Sequence, residues 1–194
     1  MRLSGVTFRK CSGQRLRFNC SLDCHYGRVV WSQGLIPLRV VHGDPKISNF
    51  IFSSSEDRAL CLIDLDTLSS DRIVIDIGDA LRSWCQVRGD ESTAFDKDIF
   101  SAFLQGYILS ADFLTKQEIS AIIDGVRIVT LDLCARYITD AFQETYFKLD
   151  YSKYSSLFEQ NSKKASDLIR FYREVQNNEQ HLNELTCSIT TSSN

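Results

Sequence analysis

His42-Gly43-Asp44-Pro45-Lys46-Ile47-Ser48-Asn49, followed by Ile63-Asp64-Leu65-Asp66-Thr67, decides how this chain is read. An acid, an amide five residues on, and a second acid twenty residues from the first each lie beside a short apolar run. Metal-assisted phosphoryl transfer requires these groups: one carboxylate to orient the attacking hydroxyl, and an amide oxygen and a second carboxylate to hold Mg²⁺ on nucleotide phosphates. Asp44 is the candidate catalytic residue, orienting or accepting a substrate hydroxyl proton. Gly43 allows the tight backbone that places it at a loop tip. Asn49, Asp64 and Asp66 are the candidate metal ligands. Asp64 closes the most hydrophobic run, Cys61-Leu62-Ile63, where a carboxylate is costly to desolvate without a cation. Asp66 projects to the same side if that strand continues. Taken singly, Asp44 is equally readable as a solvated turn aspartate and Asn49 as a turn residue satisfying local backbone.

Around this set lie supporting candidates. Lys46 can touch a phosphate, with a solvated lysine as the even alternative. His42 braces the loop by hydrogen bonding, and Asp76 is the carboxylate expected to receive it. Asp79 reads as the N-cap of a helix beginning Ala80-Leu81-Arg82. Arg82 then pairs with a loop carboxylate or reaches an anionic group.

Working outward, Leu38–Val41, Phe50–Phe52, Ala59–Ile63 and Arg72–Ile75 are short β-rich runs separated by Gly, Ser and Asp, which predicts strands with functional loops at their ends. After Asp79 the period becomes helical. Phe100, Phe103, Leu104 and Tyr107 share one face. Thr115-x-x-Glu118 is a capping box ahead of a long helix carrying Ile119 to about Phe142. A last helix is expected from near Ser152 through Val175. The expected organisation is an irregular segment over 1–34, a lobe over 35–176 and a frayed polar tail over 177–194. The expected fold class is α+β, mainly α: short strands bearing loops, then a helical bundle.

Composition narrows the partners. Of 194 residues, 43% are apolar and 24% charged, as in ordinary globular domains, and the net charge of −3 gives no general pull toward nucleic acid or anionic membrane. No apolar run reaches the ~20 residues of a membrane span, and no signal-type core opens the chain. Seven cysteines, an odd number, suit a reduced cytoplasmic protein, with Cys61, Cys85 and Cys134 expected as buried thiols. Cys20-x-x-x-Cys24-His25 lacks the second half of a zinc site and reads as free thiols. No Ser/His/Asp or cysteine-nucleophile arrangement suggests a hydrolase.

His42-Gly43-Asp44 through Asn49, with Ile63-Asp64, resembles the aminoglycoside phosphotransferase and choline kinase superfamily, whose fold is protein-kinase-like. The resemblance implies a catalytic base at Asp44, metal ligands at Asn49 and Asp64, Mg²⁺ as cofactor and ATP as phosphoryl donor. Further blocks are similar to the N-acetylhexosamine 1-kinase branch: Arg39–Ile47, Ile63–Thr67, Asp76–Arg82, Gly106-Tyr107, Ala135–Asp140 and Tyr146–Lys148. That branch implies phosphorylation of the anomeric hydroxyl of an N-acetylated hexosamine, with Arg136 and Tyr146 helping to hold the sugar. A helix-surface arginine and a core tyrosine are the even alternatives. The resemblance covers about residues 35–172 and describes a C-terminal catalytic lobe. Residues 1–34 do not carry the nucleotide-covering strands and lysine of the family's N-terminal lobe. This implies a truncated or misread start, an isolated chain inactive for lack of that lobe, or a partner chain covering the cleft. Leu68-Ser69-Ser70-Asp71 stands where the branch has a glycine. The other readings are a non-catalytic binding protein derived from a kinase lobe, and a kinase for choline, an aminoglycoside or another small alcohol.

Overall fold

The computed structural model describes residues 2–3, 6–7, 34, 36–88 and 93–191. The chain divides into two compact units, Met1–Pro37 and Leu38–Asn194. In the first, β1 (Arg2–Leu3) pairs antiparallel with β2 (Val6–Thr7). Most of the segment expected to be irregular, including Cys11, Cys20, Cys24 and His25, lies outside the described residues.

The second unit is mostly helical, with three two-stranded antiparallel ladders among the described residues. β3 (Leu38–Val41) pairs with β6 (Ser69–Arg72), Leu38 opposite Arg72 and Val41 opposite Ser69. β4 (Phe50–Phe52) pairs with β5 (Ala59–Leu62) across an irregularity after Ile51. β7 (Gln86–Arg88) pairs with β8 (Thr93–Phe95). The expected run at Arg72–Ile75 is corrected: the strand ends at Arg72 and α1 (Ile73–Trp84) begins at Ile73. Ile73, Val74, Ile77 and Leu81 bury one face at helical spacing, so packing overrides the β preference of a branched run. Asp79 therefore sits inside the helix, not at its N-cap.

α2 (Lys97–Ser110) starts at Asp96, whose carboxylate accepts the Asp98 and Ile99 amides at 3.0 and 2.9 Å. The capping box at Thr115 and Glu118 is present, yet it caps a five-residue helix, α3 (Lys116–Ser120). The chain turns at Ala121 before the long α4 (Ile122–Gln143). α5 (Leu157–Asn177) starts later than expected, at an N-cap of Ser156 that accepts the Glu159 amide. The tail is not frayed through 191. It forms α6 (Glu179–Thr191), held by Leu182 and Thr186, both buried.

α4 is the central element, flanked by α1 and α5. Its crossing with α1 is backbone on backbone. A Cβ on Gly78 would lie 2.4 Å from the Gly125 carbonyl carbon, and one on Gly125 would lie 2.0 Å from the Val74 carbonyl oxygen. Phe100, Leu104, Val126, Phe171 and Val175 are fully buried around these helices, each contributing about 2 kcal/mol of transfer free energy. Phe95 packs against Phe100 and Phe171, with ring centroids 5.6 Å away in each case. Cys85 and Cys134 are buried as expected. Cys61 is exposed, because the β4–β5 ladder leaves much of its surface uncovered.

Candidate active site

The loop leaving β3 is fixed almost wholly by hydrogen bonds to its own backbone. Gly43 adopts φ +87°, and a Cβ there would sit 2.7 Å from the Thr67 carbonyl oxygen, so the position requires glycine. The Thr67 hydroxyl donates to the His42 carbonyl at 2.7 Å. Asp76, reaching from α1, accepts the successive amides of His42 (3.0 Å) and Gly43 (2.7 Å). The sequence assigned Asp76 to the imidazole, but it clamps backbone instead. The buried His42 ring takes the Asp44 amide on Nδ1 at 3.2 Å, which leaves Nε2 as donor to the Ile63 carbonyl at 2.9 Å. His42 thus joins the loop of Asp44 to the strand end that precedes Asp64. On the other side, the Trp84 indole donates to the Pro45 carbonyl at 3.1 Å, and Trp84 packs edge-on against Phe50 and Phe103.

This frame brings Asp44, Lys46, Asn49 and Asp64 together. Asn49 is buried, and its Nδ2 donates to the Asp44 carbonyl at 2.8 Å and lies 3.4 Å from Asp44 Oδ2. Its backbone carbonyl accepts the Ile63 amide at 2.9 Å. The Lys46 ammonium bonds Asp44 Oδ2 and lies 4.0 Å from Asp64 Oδ2. The hydrogen bond to Asp44 pushes the lysine above its ordinary value against the opposing effect of burial, and Asp64 and Asp79 add to the rise. Asp64 stands at φ +67°, a left-handed conformation that aspartate tolerates better than most residues, and its side chain is about half exposed. The expectation of a desolvated strand-end carboxylate is therefore corrected. Strand β5 also stops at Leu62, so Asp66 falls on an exposed 3₁₀ turn over Leu65–Thr67, without the strand geometry that put it beside Asp64.

A cleft of about 700 Å³ opens over Asp44 and Lys46. Asp76, Asp79 and Arg82 of α1 and Asp132 and Arg136 of α4 line it. Arg82 pairs with Asp79 through Nε (2.9 Å) and Nη2 (2.8 Å), a partner on its own helix, and Arg136 pairs with Asp132 at 3.1 Å. Tyr146 and Phe147 complete the wall. Their rings meet edge to face at 4.7 Å, and Phe147 stacks on Tyr137 at 4.1 Å. His42, Asn49, Asp64 and Asp66 lie outside the lining. Of the sugar-contact candidates, Arg136 and Tyr146 are both at the cleft, and Tyr146 is exposed, not a core tyrosine.

Sequence reasoning missed the residue that holds this wall. Asp140, buried near the end of α4, accepts the amides of Thr145 (2.8 Å), Tyr146 (2.7 Å) and Phe147 (3.0 Å) and the Asn161 side-chain amide (3.0 Å). Burial alone would raise its carboxyl, yet the donated hydrogen bonds hold it below the usual range. An acid near a helix C-terminus is disfavoured by the macrodipole, and that misfit was the available signal. Thr67, also at the cleft, closes the Ile63–Thr67 stretch but was given no role there, and Asp132 carried no motif.

Among the described residues, no three His, Cys, Asp or Glu side chains gather into a self-sufficient metal set. The donors at the locus are nonetheless hard oxygens, and a cationic group already sits between the two carboxylates. This fits Mg²⁺, which takes one or two carboxylates and fills its shell with phosphate oxygens and water. With Nδ2 committed to Asp44, Oδ1 is the atom that Asn49 would offer a cation.

Residues 29–109 match the model of the phosphotransferase enzyme family, APH. The matched span runs through β3, the Asp44 loop, the 3₁₀ turns over Ile47–Asn49 and Leu65–Thr67, α1 and nearly all of α2, and ends before the α4 residues of the cleft. Among the described residues, no helix is long and apolar enough to cross a membrane.

Proposed function

We propose that this chain carries the catalytic lobe of an ATP- and Mg²⁺-dependent small-molecule phosphotransferase acting on a sugar hydroxyl, with the anomeric hydroxyl of an N-acetylhexosamine as the first acceptor to test. One observation carries the reading: Asp44 lines a cleft, the buried Asn49 side chain is hydrogen-bonded to it, and the Lys46 ammonium bonds Asp44 and lies 4.0 Å from Asp64. The family match over this segment supports the reaction class. The acceptor rests on the blocks around Arg136 and Tyr146.

Asp44 faces the cleft as the group that orients the acceptor hydroxyl and takes its proton. Asp76 and Thr67 keep the Asp44 backbone from shifting, and His42 couples it to the Ile63 side. Asn49 and Asp64 would hold Mg²⁺, with Asp66 beyond them. When bound, the ion neutralises and orients phosphate oxygens. Tyr146 offers an exposed aromatic face for a sugar ring, and Arg136 and Asp132 offer polar groups for its hydroxyl or acetamido substituents. The proposed setting is the cytoplasm.

The test incubates the purified chain with Mg-ATP and a panel of N-acetylhexosamines, choline and an aminoglycoside, following ADP release. Transfer to the hexosamine is expected once a nucleotide-covering N-terminal lobe is supplied, in cis or by a partner chain, with a loss of about 100-fold or more in Asp44→Asn. Undiminished turnover by that variant removes Asp44 as the base. Absence of both transfer and Mg-ATP binding by calorimetry with that lobe supplied removes the phosphotransferase reading, whereas tight Mg-ATP binding by the chain alone removes the reading as a non-catalytic binding protein.

A further inference from the structure

Lys46 is not placed like a surface lysine. Its ammonium bonds Asp44 and lies 4.0 Å from Asp64, and among the described residues no other cation pairs with either carboxylate. The remaining cations of the cleft are engaged elsewhere, Arg82 with Asp79 and Arg136 with Asp132. Two carboxylates brought toward one point repel unless a positive charge lies between them. We infer that Lys46 is the resident cation of the Asp44–Asp64 pair, so that a divalent ion enters this locus by displacing the lysine ammonium. This inference rests on the phosphotransferase reading and adds to it a competition for the metal site.

The local chemistry favours such an exchange. The backbone between Asp44 and Lys46 is held by buried Pro45, whose ring restricts φ and whose carbonyl receives the Trp84 indole N–H. Movement is therefore left to the lysine's flexible four-carbon stem. Its ammonium is a compact charge with rotatable donors that can leave without the geometric penalty of a bidentate guanidinium. The Lys46 side chain is 41% exposed, so a path for its departure exists.

The test measures Mn²⁺ affinity of the full chain by electron paramagnetic resonance, without nucleotide, for wild type, Lys46→Met, Lys46→Arg and Arg136→Gln. Lys46→Met is expected to bind Mn²⁺ roughly fivefold more tightly than wild type, the equivalent of one partly exposed ion pair. Lys46→Arg is expected to stay at or below wild-type affinity. Arg136→Gln removes an equal charge from the α4 part of the lining and is expected to change little. A second readout is limited acetylation with peptide mass spectrometry, in which saturating Mg²⁺ is expected to increase modification of Lys46 relative to Lys148. Unchanged or weaker affinity in Lys46→Met overturns the inference. Equal tightening in Arg136→Gln does so too, because the general field of the cleft would then suffice. So does metal binding without any increase in Lys46 acetylation. If no variant binds Mn²⁺ at all, the assignment of Asn49 and Asp64 as ligands falls with it. Wild-type binding unaffected by position 46 overturns the displacement alone.

Discussion

Replacing Asp140 by asparagine changes one heavy atom and should cost the fold far more than its size suggests. Asp140 Oδ1 receives the Thr145 and Tyr146 amides, and Oδ2 receives the Phe147 amide and Asn161 Nδ2. An asparagine keeps one oxygen, so whichever way its amide is turned, two donors face an NH₂ group. Each lost hydrogen bond to a buried charge costs about 1.5–3 kcal/mol. With some relaxation of the loop, the expected loss is roughly 4 kcal/mol. At a typical urea slope of about 2 kcal/mol/M, the midpoint falls by about 2 M. The sign of the pH dependence follows from the direction of the shift. The folded carboxyl titrates below its unfolded value, so its contribution is complete above the ordinary aspartate value near 4 and disappears as pH falls through the folded value. The stability gap between wild type and Asp140→Asn should therefore narrow only below about pH 4. Hydrogen exchange should localise the damage, with the amides of 145–147 losing protection before those of α1. A variant within about 1 kcal/mol of wild type at pH 7, or a gap indifferent to acid, would refute the argument that this carboxylate holds the cleft wall.

Other substitutions test the frame. Gly125→Ala should destabilise by about 3 kcal/mol or more in urea melts, because its methyl meets the Val74 carbonyl, whereas Gly106→Ala, with nothing within 4 Å, should be neutral or gain up to about 1 kcal/mol from helix propensity. Glu118→Gln breaks a buried carboxylate from Arg39, bonded at 2.6 and 2.9 Å, and should cost about 3 kcal/mol at pH 7 by thermal or chemical melting. Burial opposes ionisation of Glu118, but Arg39 and Thr115 together hold it below its ordinary value, so this difference too should shrink as pH falls below about 4. Thiol labelling read by peptide mass spectrometry should find Cys61 reactive in the native protein. Cys85 and Cys134 should be protected until unfolding, since burial pushes them up to about 12 and about 11.

The parts of this molecule legible in its sequence are those decided locally. β3, β4 and β5 could be read from apolar runs flanked by turn residues, and the Thr115–Glu118 box from its spacing. The start of α1 could not, because Arg72-Ile73-Val74-Ile75 has the composition of a strand. Only the approach of α4 at Gly125 gives Val74, Ile77 and Leu81 a helical face to bury. The exposure of Cys61 was hidden for the converse reason, since an apolar run does not say whether anything covers it. The spacing of Asp44, Asn49 and Asp64 pointed to a shared loop system, yet of the three only Asp44 lines the cleft. The clamp by Asp76 on two backbone amides and the anchoring of residues 145–147 by Asp140 are contacts to main chain. Main-chain partners leave at most a faint mark in residue identity, such as an acid placed against the helix macrodipole at Asp140.

Trp84 gives the molecule a built-in optical gauge. Its indole N–H is tied to the carbonyl next to Asp44, and its ring bridges Phe50 and Phe103. Indole emission is sensitive to the loss of such a bond. Any event that tugs the Asp44–Lys46 peptide should register as a change in its colour or lifetime, allowing occupancy of the cleft to be followed in unlabelled protein.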